Sequence, residues 1–119
     1  MLTPERIDAT ARASLEMHRK RERYRPLDPA VRGGPLDDAY RIQDALHGLM
    51  MAEGRGEIVG WKIALTSKAM QQMTGVDQPA AGALFSTVVH QSPAIVDVGD
   101  YHHLCIEFEV AEPDLHLMH

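Results

Sequence analysis

The chain has 119 residues, 45% of them hydrophobic, which fits one globular domain or part of one. Seventeen acids stand against twelve Lys and Arg, for a net charge of −5, and this argues against general binding to nucleic acid or anionic membranes. No run approaches the roughly 18 apolar residues of a bilayer span. The first residues lack an apolar signal core, and the single cysteine, Cys105, allows no internal disulfide, so a cytoplasmic location is expected.

In chain order, Thr3-Pro4-Glu5 has the features of a helix start: a capping hydroxyl, a proline in the first turn and an acid at the positive end of the dipole. Ile7, Ala11 and Leu15 follow on one face, predicting a helix over 4–22 that ends in the basic stretch HRKRERY. That stretch reads as a solvated helix end. Residues 25–38, rich in Pro, Gly and Asp, read as a loop. A second helix is predicted over 36–52, with Ala39, Ile42, Leu46, Leu49 and Met50 on one face.

Strands are expected from residue 57. IVGWKIALT, residues 58–66, alternates Trp61, Ile63 and Leu65 on one face with Gly60, Lys62 and Ala64 on the other. A lysine inside an apolar strand is costly unless it is paired or working. Its two same-face neighbours are very small, which leaves space above it, so Lys62 is expected to face a cavity. Ser67 is predicted to cap a short helix that ends at Gly75, with Met70 and Met73 facing inward. VDQPAAG, residues 76–82, reads as a turn. ALFSTVVH, PAIVDV and LCIEFEVA read as strands.

In the last of these, Glu107 and Glu109 share a face, with backbones about 6.5–7 Å apart. Their carboxylates can converge on a hard cation such as Mg²⁺, or they can simply line a solvated face. If buried together they would repel each other unless a counter-charge such as Lys62 or a metal were present. His102 and His103 point to opposite sides of an extended segment and have no zinc-type spacing with Cys105. There is no Gly-rich phosphate loop and no Gly-x-Ser-x-Gly elbow.

AYRIQDAL, VGWKIALTSKAMQQMTGVDQPAAGALF and IEFEVA, in this order over about 36–111, resemble the 2-keto-4-pentenoate hydratases of the fumarylacetoacetate hydrolase superfamily. The resemblance implies an α+β fold, with N-terminal helices packed on a mixed sheet, as the first part of a hydratase-type domain over 1–111. It implies that Lys62 is the active-site lysine and that Asp77 is the acid of the substrate loop. It implies that Glu107 and Glu109 are two of three acidic ligands for Mg²⁺ or Mn²⁺. The expected reaction is hydration of a 2-hydroxy-2,4-dienoate to a 4-hydroxy-2-oxo acid in aromatic catabolism. Decarboxylation, as in the related 4-oxalocrotonate decarboxylases, is the alternative. The family usually has glycine at the position of Ala64, a change that narrows the site slightly. The third acidic ligand lies beyond this chain, and after residue 111 the pattern gives way to EPDLHLMH, read as a truncated or frameshifted tail over 112–119. The implied partners are a small 2-keto or 2-hydroxydienoate acid and either further copies of this chain or an intact family member. A non-catalytic remnant that only binds such a chain is the other expectation.

Overall fold

The computed structural model describes residues 1–23, 25–27, 29, 31 and 34–112. The expected tail therefore lies outside the described residues beyond Glu112. The chain divides into two compact units, Met1–Arg55 and a second from Gly56. The α+β expectation holds, with three helices and one small sheet among the described residues.

In the first unit, α1 (Pro4–Arg19) starts where the Thr3 hydroxyl accepts the Arg6 N–H and Pro4 occupies the first turn. It ends three residues before the predicted limit. Lys20 caps it, and Arg21 turns the chain away with a φ of 51°. α2 spans Leu36–Ala52. The two helices pack on each other, and Ile7, Ala11 and Ile42 form the buried core. Leu15 is buried on the same α1 face. Leu2, Val31, Ala45, Leu46 and Leu49 close around the core. Ala39, expected on the inward face of α2, is exposed, and the buried stripe runs instead through Asp38 and Ile42.

Asp38 is buried because it has work for both oxygens. It accepts the Leu2 N–H at 2.9 Å and an Arg41 guanidinium N–H at 2.9 Å. Arg41 in turn donates to the Leu2 carbonyl at 3.1 Å. A buried carboxylate is tolerated when it is paired and hydrogen-bonded in this way.

In the second unit, β1 (Ile58–Ala64) pairs antiparallel with β2 (Ala80–Phe85). Val59 is an extra residue in the ladder, a bulge between Ile58 opposite Phe85 and Gly60 opposite Leu84. Between the strands runs α3 (Lys68–Thr74), capped by the Ser67 hydroxyl and closed by Gly75 at φ 75°. The predicted cap and stop of α3 are both present.

Several expectations are corrected here. The sheet is not mixed: among the described residues it has two antiparallel strands. VDQPAAG is a turn only as far as Pro79, and the second strand begins at Ala80. ALFSTVVH stops being a strand at Phe85 and continues as a 3₁₀ turn, Ser86–Val88. PAIVDV and LCIEFEVA form no strand. Both have strand-like composition, but a strand exists only when a neighbouring backbone completes its hydrogen bonds, and neither segment has one among the described residues. Met70 and Met73 are exposed, not inward. The apolar stripe Ile106, Phe108 and Val110 is open to solvent, Phe108 at 99% exposure. No helix among the described residues is long and apolar enough to cross a membrane.

Candidate functional site

Lys62 sits in the middle of β1, directly opposite Gly82. Residues opposite each other across an antiparallel pair share a face. Its face of the hairpin is therefore built from Gly60, Ala64, Ala80, Gly82 and Leu84, four of them with no more than a methyl group. The open space inferred above Lys62 is present, and β2 extends it. What differs is burial. Lys62 is not enclosed in a cavity: its side chain is 46% exposed. The small residues around it leave it uncovered, and among the described residues no other strand lies over the hairpin to close a pocket.

The lysine is nevertheless engaged. Its Nζ lies 2.8 Å from Glu109 Oε1 and donates to the Ile63 carbonyl at 3.1 Å. This ion pair joins the middle of a strand to a segment far along the chain. The Glu109 carboxyl is held below the usual carboxylate range. The hydrogen bond from Lys62 is the largest cause, burial is the next and works against it, and the lysine charge and a hydrogen bond with Glu107 add to the lowering. The structure thus brings three of the four predicted residues together: Lys62, Glu109 and, through Glu109, Glu107.

Asp77 lies elsewhere in the unit. It follows the Gly75 stop of α3, is exposed, and helps line an open cavity of about 250 Å³ with Lys68, Gln71 and Val76. Lys62 and the two glutamates do not line it. A larger cavity in the first unit, lined by Arg6 and Arg25 among others, contains none of the predicted residues.

The two glutamates match a hard divalent ion in ligand type, since both offer carboxylate oxygen and both are exposed. As a set they are short. Among the described residues no group of three or more His, Cys, Asp or Glu side chains is placed to hold a metal. His102 and His103 are exposed and add nothing to the pair.

Gln71 carries a role that sequence reasoning passes over. It is the buried residue of α3, 7% exposed, and its side-chain amide donates to the Leu65 carbonyl at 2.9 Å. Leu65, the residue after β1, has a φ of 59°, a left-handed conformation that non-glycine residues seldom adopt. As one of two glutamines between Met70 and Met73, it gave no sign of this in the sequence.

No family model matches the chain. Curated relatives do. It is 39% identical over 85 residues to a 2-keto-4-pentenoate hydratase of Paraburkholderia phymatum, covering 71% of this chain and 32% of that protein. It is 30% identical over 109 residues to the 2-keto-4-pentenoate hydratase of Paraburkholderia xenovorans, covering 92% of this chain and 40% of that protein. A 2-keto-4-pentenoate hydratase of Dechloromonas aromatica is 43% identical over 72% of this chain and 32% of its own length. The chain therefore spans 32% to 40% of the length of these relatives. Within that span, the chain belongs to the 2-keto-4-pentenoate hydratase family.

Proposed function

We propose that this chain carries part of the active site of a hydratase that adds water to a 2-hydroxy-2,4-dienoate, giving a 4-hydroxy-2-oxo acid in aromatic catabolism. The observation that carries the reading is the 2.8 Å pair between Lys62 and Glu109. An ammonium and a carboxylate far apart in sequence meet on a bare strand face, and the relatives that share the segment are named hydratases. The fold is then the first part of a fumarylacetoacetate hydrolase-type domain.

In this reading, Glu107 and Glu109 would hold Mg²⁺ or Mn²⁺ together with further oxygen ligands, and the bound ion would supply Lewis-acid polarisation of the 2-oxo acid. Lys62 binds the substrate's developing oxyanion through Nζ. There its charge stabilises the enolate and its proton is available for transfer. Glu109 keeps that ammonium in place until substrate arrives. Asp77 orients the far end of the substrate from its loop. Gly60, Ala64 and Gly82 keep the strand face bare so that a flat dienoate can approach the lysine.

The test is turnover of 2-hydroxypenta-2,4-dienoate followed by loss of its ultraviolet absorbance. Lys62→Ala and chelation should each abolish it, and Glu107→Gln or Glu109→Gln should weaken Mn²⁺ binding in calorimetry. Turnover that survives both Lys62→Ala and chelation sinks the assignment. Exposed Trp61, Ile63 and Phe108 favour a further reading, that this chain works in a self-assembly or beside another family member. Sedimentation showing a monomer at all concentrations, and no mixed species with a longer hydratase, would rule that out.

A further inference from the structure

The turn between β1 and α3 is where the two parts of the proposed site are joined. β1 carries Lys62. α3 leads through Gly75 and Val76 to Asp77. Between them, Leu65 takes a φ of 59° and Ser67 caps the helix. The left-handed conformation is strained for leucine, and such strain persists only where surrounding contacts hold it. The contact here is Gln71. Its backbone N–H bonds the Ser67 carbonyl at 3.0 Å, and its side-chain amide reaches back to the Leu65 carbonyl at 2.9 Å. Gln71 also lines the same open cavity as Asp77. One buried residue thus ties the strand end to the helix that follows it.

We propose that Gln71 is a positioning residue of the hydratase site. By holding Leu65 in the left-handed conformation, it fixes the angle at which the chain leaves the Lys62 strand and so the placement of Asp77 relative to Lys62. This rests on the proposed hydratase reading and deepens it. Gln71 touches no reacting atom. It acts through the Leu65 carbonyl.

The test is a double-mutant cycle, because the proposal makes the effect of Gln71 depend on what stands at position 65. Glycine adopts a positive φ without strain. Gln71→Ala, and Gln71→Glu, which keeps the shape but loses the donor, should lower kcat for 2-hydroxypenta-2,4-dienoate by roughly ten- to a hundredfold, as misplacement of a catalytic group does. KM should change little. Leu65→Gly should keep most of the activity. In the Leu65→Gly background, Gln71→Ala should cost little more, because the turn no longer needs the tie. An undiminished loss in that background overturns the proposal, since Gln71 would then act by another route. Amide hydrogen exchange at Met70, whose N–H bonds the Ser67 hydroxyl at 3.2 Å, is read in the four proteins of the cycle. It should quicken on Gln71→Ala only when Leu65 is present. If the wild type shows no turnover, the hydratase reading fails. The exchange pattern then still decides whether Gln71 holds the turn, and unchanged exchange overturns that too.

Discussion

Replacing Gly56 by alanine should open the hairpin that carries Lys62. Gly56 has a φ of 88°, and a Cβ there would run into the Ser86 hydroxyl oxygen, with the Thr87 methyl 3.2 Å away. The collision matters because Ser86 is part of the hairpin's closure. Its N–H donates to the Glu57 carbonyl at 2.8 Å, and its hydroxyl accepts the Glu57 N–H at 3.1 Å. Forcing an L-residue into the left-handed region costs about 1–2 kcal/mol. Displacing the hydroxyl forfeits a hydrogen bond worth about 1 kcal/mol. The sum, about 2–3 kcal/mol, is large for a two-stranded hairpin, which is marginal by itself. Amide exchange along β1 and β2 should therefore accelerate roughly 30- to 150-fold, at 1.36 kcal/mol per factor of ten. Adding Ser86→Ala to Gly56→Ala removes a hydroxyl whose hydrogen bond the first change has already forfeited, so the second change should cost little further protection. Protection that is unchanged by Gly56→Ala, or that falls as far again on the second change, refutes the reasoning.

Two further predictions concern charge. Lys62→Met should raise the Glu109 carboxyl back toward its ordinary range, since the lysine hydrogen bond is the main cause of the lowering; a carbon-detected NMR titration of the Glu109 carboxyl reads this directly, and an unmoved midpoint contradicts the pair. In the first unit, burial pushes the Asp38 carboxyl up, but the Leu2 N–H, Arg41 and the terminal ammonium outweigh it and hold it low. A carboxyl lowered by folding contributes stability that is present above its unfolded pKa and lost as pH falls through its folded one. Thermal unfolding of the wild type should lose Tm on acidification, and Asp38→Asn should start lower and show a shallower acid slope.

How much of this was legible depends on where the information lay. The helix ends were local. Thr3-Pro4-Glu5 and Ser67 carry their own capping chemistry, and Gly75 supplies the left-handed stop, so both boundaries could be read from a few neighbouring residues. The inward face of α1 was legible because sixteen residues give enough turns to phase it. α3 has seven, too few, and the methionines taken as inward are exposed while Gln71 is buried. Ala80 and Ala81 do not advertise a strand, yet they pair with Ala64 and Ile63. The opposite error arose at 104–111, where clean alternation stood without a partner strand. Alternation describes a segment, whereas pairing is a property of two. The site was legible as residue types and order. The meeting of Lys62 with Glu109 was foreseen only as a possible counter-charge, and the exposure of both follows from what covers the hairpin rather than from its own sequence.

The bulge at Val59 decides which side of the hairpin is bulky. Plain alternation would put Ile58 on the lysine's side. The extra residue instead sets it across from Phe85, with Trp61 and Ile63. One surface therefore gathers Ile58, Trp61, Ile63 and Phe85, and the other, apart from Lys62 and Leu84, keeps only glycine and alanine. The two sides answer to different constraints as the sequence drifts. On the bulky side, one large apolar residue can replace another at modest cost. On the lysine's side, if the proposed function holds, even an added methyl group takes up room beside Lys62 that the substrate would need. A single inserted residue thus separates the positions free to vary from those obliged to stay small.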